Sequence, residues 1–237
     1  MYPLAKRIES PSNLLERTSA FLPPEMIANR SEGELRDLRD AVVLSLATLL
    51  DLKDFQTGVH ATRLASWARR AAAYLEVESK DLRDIEVACM LHDLGKIGVP
   101  ESILRKTSAL NAEEYEEVKK HPSFGWTVLR LLPGFETVAN YVLYHHERWD
   151  GGGYPAGLEG EEIPVGSRIV AVVDAFDAMI SPRAYKLGLP IDTAIAQIRS
   201  EAGTQFDPRV AETFIRVVED SRAEFELARV PANWPSS

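Results

Sequence analysis

The sequence contains a single cysteine and no long apolar segment, and these two absences exclude several classes of protein. Cys89 has no second cysteine to pair with, so an internal disulfide is excluded and a reducing compartment is expected. The longest apolar run, Ala41 to Leu50, is bracketed by Asp40 and Asp51. A membrane-spanning helix needs about 20 apolar residues, so we interpret this run as part of an ordinary helix in a globular domain.

Basic residues are also in the minority. The chain has 27 lysines and arginines against 36 aspartates and glutamates, for a formal net charge of -9. Because bulk nucleic-acid binding needs a basic face, that class is excluded, and an anionic ligand would have to be attracted by local cations. No apolar core follows Lys6, Arg7 and Glu9, so no secretory signal is recognised and a cytoplasmic location is expected.

Strand-type alternation and internal repeats are missing as well, and the patterns present are helical. Ser31 and Glu34 form a capping box that opens a helix to about Asp54, and Asn111 and Glu114 form another. The further predicted helices cover approximately 57–75, 79–94, a segment from Pro122, 135–148, 165–180, a segment from Asp192 and a last one from Pro208. With 237 residues, 45% of them hydrophobic, the chain can form one large all-α core with an extension.

Several single residues predict where helices begin and end. Ser79 and Asp192 are predicted N-caps, and Gly95 is predicted to end its helix as a left-handed C-cap. Pro122 is expected to keep His121 out of helical geometry and to lie in the first turn of the next helix.

The helix from residue 31 to about 54 carries leucines and valine at three- and four-residue spacing, which allows two interpretations. This row could be a short coiled-coil seam between two copies of the chain, giving a homodimer. The shortness of the repeat favours the other interpretation, in which the row is the face by which one helix lies on the domain core. The row consists of Leu35, Leu38, Val42, Leu49 and Leu52.

All five histidines lie between residues 60 and 146, and this clustering is the strongest functional signal. Neutral imidazole is the commonest metal ligand among side chains. Two pairs of adjacent candidate ligands occur, His92-Asp93 and His145-His146. Neighbours on a helix diverge by about 100°, so each pair suits two ions, with a carboxylate bridging them, better than one. A single histidine on the apolar face of a helix could be a core residue. The confinement of all five histidines to one region favours a metal site instead.

Two segments then resemble a known family. His92-Asp93-Leu94-Gly95-Lys96 resembles the motif of the HD superfamily of metal-dependent phosphohydrolases, and residues 145–155, HHERWDGGGYP, resemble the signature of its HD-GYP branch. The similarity covers roughly Leu49 to Val218. It continues through Gly157-Leu158, Gly160, Ile163, Asp174 to Ala178, Arg183 to Lys186 and Phe206-Asp207-Pro208.

The resemblance implies an all-α HD-domain helical bundle with a short N-terminal helical extension. We predict an N-terminal extension and possible dimerisation helix at 1–48, the catalytic domain at 49–220 and a C-terminal tail at 221–237. Members of the family usually carry an N-terminal sensory domain, for which the residues before 49 are too few. The chain is therefore expected either to be a fragment or to respond through a partner protein.

The resemblance also implies a phosphodiesterase that hydrolyses cyclic di-GMP to linear pGpG, and more slowly to GMP, with two metal ions, iron or manganese being usual. Asp93 would bridge the two ions. The ions would share a water molecule that they activate for attack on phosphorus. Three-metal members carry a glutamate where this chain has Gln56, so two ions are expected rather than three. The ligands implied are His60, His92, Asp93, His121, His145, His146 and Asp174.

Substrate contacts follow from the same resemblance. Lys96 would be a catalytic or substrate-positioning residue at the phosphate, the alternative being a solvated lysine near a helix C-terminus. Arg183 and Lys186 would hold substrate phosphates, while Tyr185 would pack either on a base or in the core. Asp177 would either support a ligand imidazole or act as a surface or capping residue.

The glycine-rich loop after the paired histidines, Gly151 to Pro155, allows positive φ and close backbone approach. Family members use this loop as a surface for partner signalling proteins. Glu147, Arg148 and Asp150 are expected to connect it to the preceding helix through charge pairs, and Cys89 is expected to be a core residue.

Three alternatives to the cyclic di-GMP enzyme are a module that binds cyclic dinucleotides for sensing, an HD phosphohydrolase acting on nucleoside phosphates, and a phosphodiesterase for a mixed GMP-AMP ring. The complete set of two-metal ligands favours an enzyme over a sensor. The glycine-rich loop Gly151 to Pro155 (the GYP loop) and the Arg183–Lys186 pair argue against an enzyme that acts on nucleoside phosphates. The motifs contain no residue identified as recognising the bases, so the mixed GMP-AMP ring remains an alternative substrate.

Overall fold

The computed structural model describes residues 31–54, 59–181 and 188–228, without the side chains of residues 32, 51–60 and 228. The chain divides into two compact units, Met1–Ser45 and Leu46–Ser237. The described residues contain no strand, only the isolated bridges Asp150–Glu159 and Ala202–Phe206. The predicted all-α class is therefore confirmed. None of the helices in the described ranges is both long and apolar enough to cross a membrane.

The helices follow one another with short connections. Two of these connections contain 3-10 helices, Leu94–Gly98 and Gly160–Glu162. The α-helices are α1 Glu32–Asp54, α2 Val59–Tyr74, α3 Ser79–Leu91, α4 Glu101–Leu104, α5 Ala112–Val118, α6 His121–Leu129, α7 Glu136–Leu143, α8 Val165–Ile180, α9 Ile191–Ser200, α10 Pro208–Asp220 and α11 Arg222–Ala228.

The core of the second unit forms where α2, α3, α8 and α10 pack together. Its centre is aromatic: Trp67 stacks on Phe225 with ring centroids 4.2 Å apart, and Phe176 meets Phe214 edge-on at 5.3 Å. All four of these side chains are fully buried. Phe225 lies in α11, so the segment predicted as a C-terminal tail begins with a helix that contributes to this core, and α10 is not the last helix.

Several of the predicted helix ends are confirmed. Both capping boxes form, with the Glu34 amide donating to Ser31 Oγ at 3.3 Å and the Glu114 amide donating to Asn111 Oδ1 at 2.8 Å. Asp207 accepts from two amides of the first turn of α10. Helix α8 has the predicted bounds.

Other predicted helix ends are wrong. Ser79 is the first residue of α3 rather than its cap. Asp192 lies within the first turn of α9, where it pairs with Arg222. His121 is the first residue of α6, because the turn through Lys120 already has right-handed helical geometry and leads directly into that helix. Pro122 does lie in the first turn, as predicted.

On α1 the predicted apolar row is largely exposed. Leu35, Leu38 and Leu49 are all exposed, whereas Val43 and Ala47 are the residues that are buried. This pattern does not distinguish the two interpretations of the row, so the homodimer stays a prediction.

Candidate metal centre

The His92-Asp93 pair lies at a junction between two helices. His92 directly follows the last residue of α3, and Asp93, with φ -91° and ψ 4°, precedes the 3-10 helix Leu94–Gly98. This change of path lets both adjacent side chains face one centre, which a continuous helix would prevent. His92 Nε2 lies 3.3 Å from Asp93 Oδ2 and 3.5 Å from Asp174 Oδ1.

The His145-His146 pair also follows a helix. Helix α7 ends at Leu143, so the prediction that it continues to Arg148 is wrong. Beyond it the Glu147 amide donates to Tyr144 O at 3.0 Å, three residues earlier, and the Trp149 and Asp150 amides donate to Gln205 O and Thr204 O at 3.2 and 2.9 Å. The paired histidines therefore lie in a turn.

Three histidines that are distant in sequence converge. The candidate ligand atoms of His121, His145 and His146 all lie within 4.8 Å of one another, a group that can hold a metal ion. His121 Nε2 and His145 Nε2 are 3.4 Å apart. His121 and His145 are each only 1% exposed, and His146 is half-buried.

Three imidazoles are oriented by the same contact. The Nδ1–H groups of His92, His121 and His145 donate to the carbonyl three residues earlier, at 2.8, 2.7 and 2.6 Å. Because a carbonyl only accepts, each of these bonds places a proton on Nδ1, so that in the neutral ring the Nε2 lone pair faces the centre. Backbone carbonyls commonly support metal-binding histidines in this way.

Asp93 lies between two groups of candidate ligands. Its Oδ2 faces His92, and its Oδ1 lies 3.5 Å from His121 Nε2. One carboxylate oxygen thus points to the group of His92 and Asp174, and the other points to the group of His121, His145 and His146. Lys96 lies at the edge of the centre, and its Nζ donates a hydrogen bond to Asp93 Oδ2 over 2.7 Å.

The protonation states suit ligation. Burial lowers the pKa of His145 well below its ordinary value and that of His146 to about 4, so both rings are neutral. Burial would also lower the pKa of His92, but Asp93 and Asp174 outweigh it and raise that pKa well above the usual value. Burial would raise the pKa of Asp93, but His92 and Lys96 hold it well below its usual range. An ionised Asp93 therefore accompanies neutral His145 and His146, whereas the two carboxylates beside His92 favour its protonated form, whose Nε2 proton a bound metal ion would displace.

The donor set fits a metal ion. His92 Nε2 is buried without a hydrogen-bond partner. The lone pairs on His121 Nε2 and His145 Nε2 approach one another with no proton between them when both rings are protonated on Nδ1. A cation among these atoms relieves both conditions. Imidazole nitrogens and carboxylate oxygens without thiolates suit iron, manganese and similar metals.

Gly95 has a different role from the predicted C-cap. It lies inside the 3-10 helix, and its φ is not positive. A Cβ at this position would lie 1.8 Å from His121 O and 2.6 Å from the Gly125 amide nitrogen. The absence of a side chain therefore lets the segment that carries Asp93 touch the start of α6.

Glu147 organises the glycine-rich loop through backbone amides. It is buried, and its Oε1 accepts from the Ala156 and Gly157 amides at 2.7 and 3.1 Å, while Oε2 accepts from the Leu158 amide at 3.1 Å. The expected charge pair of Glu147 is thus replaced by hydrogen bonds.

The predicted pair of Arg148 with Asp150 is present and bidentate, at 3.0 and 2.7 Å. Gly151 has the positive φ, +75°, that the loop was predicted to need.

We expect Glu147→Gln to destabilise the protein by about 1–3 kcal/mol, because one carboxylate oxygen of this buried side chain becomes an NH₂ group that faces a backbone donor. Urea unfolding would measure the loss, and hydrogen exchange would show weaker protection of the Ala156 to Leu158 amides. Glu161→Gln, at an exposed position nearby, is the matched control. Equal stability of the two variants would contradict this role of Glu147.

Some of the sequence-predicted site residues lie outside the described part of the structure. The backbone of His60 belongs to α2, but its side chain is not described, and Gln56, Arg183, Tyr185 and Lys186 fall in undescribed segments. Asp177 is buried, pairs with Arg63 and accepts from Ser181 Oγ at 3.0 Å.

Cys89 is buried as expected, and burial raises the pKa of its thiol.

Tyr154 is a site residue that the sequence did not single out. Its ring stacks on His146 with centroids 5.0 Å apart and an interplanar angle of 27°. Lys119 Nζ lies over the same ring, 5.4 Å from its centroid. The available signal was an aromatic residue placed in the loop that follows two candidate ligands.

The HD domain family model matches residues 45–210. The chain belongs to the HD domain family. A cyclic di-GMP phosphodiesterase of Thermotoga maritima is 38% identical over 195 residues, which cover 81% of this chain and 53% of that protein. The cyclic di-GMP phosphodiesterase response regulator RpfG of Xanthomonas campestris pv. campestris is 35% identical over 222 residues, which cover 93% of this chain and 57% of that protein. The sequence-based recognition of an HD-GYP protein is thus confirmed.

A solved structure supports the fold. The crystal structure of a cyclic GMP-AMP-specific phosphodiesterase of Vibrio cholerae has a TM-score of 0.62 and 24% identity, and the match covers 81% of this HD chain and 51% of that one. The chain spans about half the length of these curated relatives.

Proposed function

We propose that this HD domain is a two-metal phosphodiesterase that hydrolyses cyclic di-GMP to linear pGpG, and more slowly to GMP. The observation that carries the proposal is Asp93, whose two oxygens face two separate groups of buried ligand atoms. The relatives from Thermotoga maritima and Xanthomonas campestris, both named cyclic di-GMP phosphodiesterases, support the choice of substrate.

The proposed ligands divide between two ions. The described side chains that support the first ion are His92 and Asp174, to which the family resemblance adds His60. Those that support the second are His121, His145 and His146, and Asp93 is shared. We propose iron or manganese on the basis of the donor types, and two ions rather than three because Gln56 lacks a carboxylate.

The residues of the chain prepare this site for a phosphodiester. When bound, the two ions would lower the pKa of water and offset charge on phosphoryl oxygens. Asp93 stays ionised, and Lys96 holds it by a charge-assisted hydrogen bond while bringing a positive charge to the centre. We propose that Lys96, Arg183 and Lys186 bind substrate phosphates, with Tyr185 near a base.

We expect Arg183→Ala to raise KM about 10- to 100-fold with little change in kcat, because a hydrogen bond to a charged group contributes roughly 1.5–3 kcal/mol and the phosphate is held before and after reaction. Steady-state kinetics would measure both constants. Arg199→Ala, which removes an exposed arginine on α9, is the matched control. An unchanged KM in Arg183→Ala would contradict its phosphate role.

The function itself is tested by anaerobic purification, metal quantitation and incubation with cyclic di-GMP, followed by chromatography of the products. We expect about two ions per chain, release of pGpG and loss of turnover with a chelator. A chain that binds cyclic di-GMP without hydrolysing it under these conditions would instead be a sensing module.

A mixed GMP-AMP ring is the second candidate substrate, favoured by the Vibrio cholerae structure named for that specificity. Turnover of both rings in one reaction vessel gives the ratio of their kcat/KM values directly. A ratio that favours the mixed ring would change the assigned substrate while leaving the metal chemistry intact.

The partner surface at the GYP loop, the homodimer through α1 and the cytoplasmic location are proposals that rest on the sequence. The described loop supports the first, because the Glu147 hydrogen bonds give it a defined backbone.

A further inference from the structure

His146 differs from the other imidazoles of the centre in how its ring is oriented. His92, His121 and His145 each donate from Nδ1 to the carbonyl three residues earlier. Among the described residues, His146 has no corresponding hydrogen bond. Its ring contacts the rings of two other candidate ligands, His121 and His145, and is stacked on the ring of Tyr154, which is not a candidate ligand. The torsion that turns an imidazole about its Cβ–Cγ bond has broad minima, so the plane of an unsupported ring would not be fixed.

The backbone of the loop holds Tyr154 in this position. The Tyr154 amide donates to His146 O at 3.3 Å, which connects the two residues directly. Gly153 lies so close to the preceding turn that a Cβ would approach Arg148 N to 2.3 Å and Glu147 Cα to 2.5 Å. Beyond it, Glu147 binds the amides of the returning chain. The loop therefore folds back onto the paired histidines and places the tyrosine ring on one of them.

Lys119 connects the same ring to a second segment that carries a ligand. Its Nζ lies over the Tyr154 ring and pairs with Glu116 Oε1 at 2.9 Å. Lys119 precedes His121 by two residues. A cation over an aromatic face is an attractive contact, so the ring lies between the turn that leads into α6 and the turn that follows α7.

We propose that Tyr154 is a positioning residue that orients His146 for metal binding by ring stacking, in place of the Nδ1–carbonyl bond of the other imidazoles. The inference rests on the proposed function in one respect, that His146 is a metal ligand. The stacking needs an aromatic ring and not the hydroxyl group, which predicts a definite order among variants: phenylalanine should replace tyrosine, and aliphatic side chains should not.

The test compares Tyr154→Leu and Tyr154→Phe in the full chain, with manganese(II) as the probe. Chelator competition should show that Tyr154→Leu lowers the affinity for one of the two ions by about 10-fold or more, since groups that support metal-binding histidines typically contribute 10- to 100-fold in affinity. Tyr154→Phe should match the unsubstituted chain. Tyr115→Leu is the matched control, because Lys119 also lies over the Tyr115 ring at 5.8 Å, but that ring is half-exposed on α5.

A second readout separates ligand orientation from general stability. The visible absorption of the cobalt(II)-loaded chain reports ligand geometry, and it should change in Tyr154→Leu but not in Tyr154→Phe or Tyr115→Leu. Circular dichroism establishes that each variant is folded. Tyr154→Met, unbranched and closer in length, serves if the leucine variant does not fold.

The outcomes separate the inference from the function. Absence of metal in the unsubstituted chain would refute the proposed function. Metal binding and cobalt spectra equal in Tyr154→Leu (or Met) and the unsubstituted chain would overturn only the positioning role. Loss of metal in Tyr154→Phe to the same extent would also overturn it, because the hydroxyl rather than the ring would then be responsible.

Discussion

Replacing Asp93 with alanine should remove both metal ions and abolish turnover. Asp93 is the one described carboxylate that faces both groups of candidate ligands, with Oδ2 at 3.3 Å from His92 Nε2 and Oδ1 at 3.5 Å from His121 Nε2. It is also the partner of Lys96. Its removal takes a ligand from each ion and leaves a lysine ammonium beside the positions of the cations, so the electrostatic loss adds to the loss of coordination.

The expected size follows from the charge that the metals stabilise. Metal ions contribute several kcal/mol of transition-state stabilisation, and each ~1.4 kcal/mol is a factor of ten in rate. We therefore expect kcat/KM to fall by about 10³-fold or more, with metal content near zero by elemental analysis.

Two variants accompany Asp93→Ala. Asp93→Asn keeps the shape of the side chain but removes its charge. It should lose metal and turnover to a similar extent if the charge and the bridging of Asp93 hold the ions. Asp192→Ala removes an exposed acid that pairs with Arg222 on the surface, and it should keep full activity and metal. Substantial turnover by Asp93→Ala without bound metal would refute the two-metal mechanism.

Adding one methyl group at Gly95 should disrupt the fold and the site together. The Cβ would lie 1.8 Å from His121 O, and both atoms belong to segments held by helical hydrogen bonds. No flexible side chain can move aside, so the 3-10 helix must separate from α6. Overpacking of this kind costs about 1–3 kcal/mol or more, and it also moves Asp93 away from His121.

Urea unfolding and metal affinity would both report the Gly95→Ala change. We expect a lower midpoint with an unchanged slope, together with weaker binding of the ions. Gly33→Ala is the control, because a Cβ there lies 3.8 Å from its nearest neighbour and helix propensity favours alanine. If Gly95→Ala were as stable as the Gly33 control and bound metal normally, the close contact would not be what fixes the geometry.

The sequence predicted the class of fold because the signals that form helices are local. Capping boxes such as Asn111 with Glu114 involve residues three apart, and the apolar spacing of α8 specifies its buried face without reference to the rest of the chain. The same locality explains the errors. The turn after α7 is held by residues distant in sequence, because the Gln205 and Thr204 carbonyls accept from the Trp149 and Asp150 amides, and no nearby residue signals this.

The candidate ligands could be identified from the sequence because metal binding uses few residue types, and this chain confines its histidines to one region. Pairing and orientation could not be identified in this way. The sequence predicts a helix end at Gly95, whereas the requirement for glycine there comes from the backbone of another helix. It predicts a charge pair for Glu147, whereas that side chain accepts from three amides.

The sequence by itself thus determined the helical class, the family and the residue types of the candidate ligands. Only the tertiary structure decided which candidate ligands meet, which nitrogen the rings of His92, His121 and His145 present, and that Tyr154 lies on His146. The physical reason is that helix formation depends on neighbours within one or two turns, whereas convergence depends on the path of the whole backbone, and backbone paths are set by contacts between segments far apart in the chain.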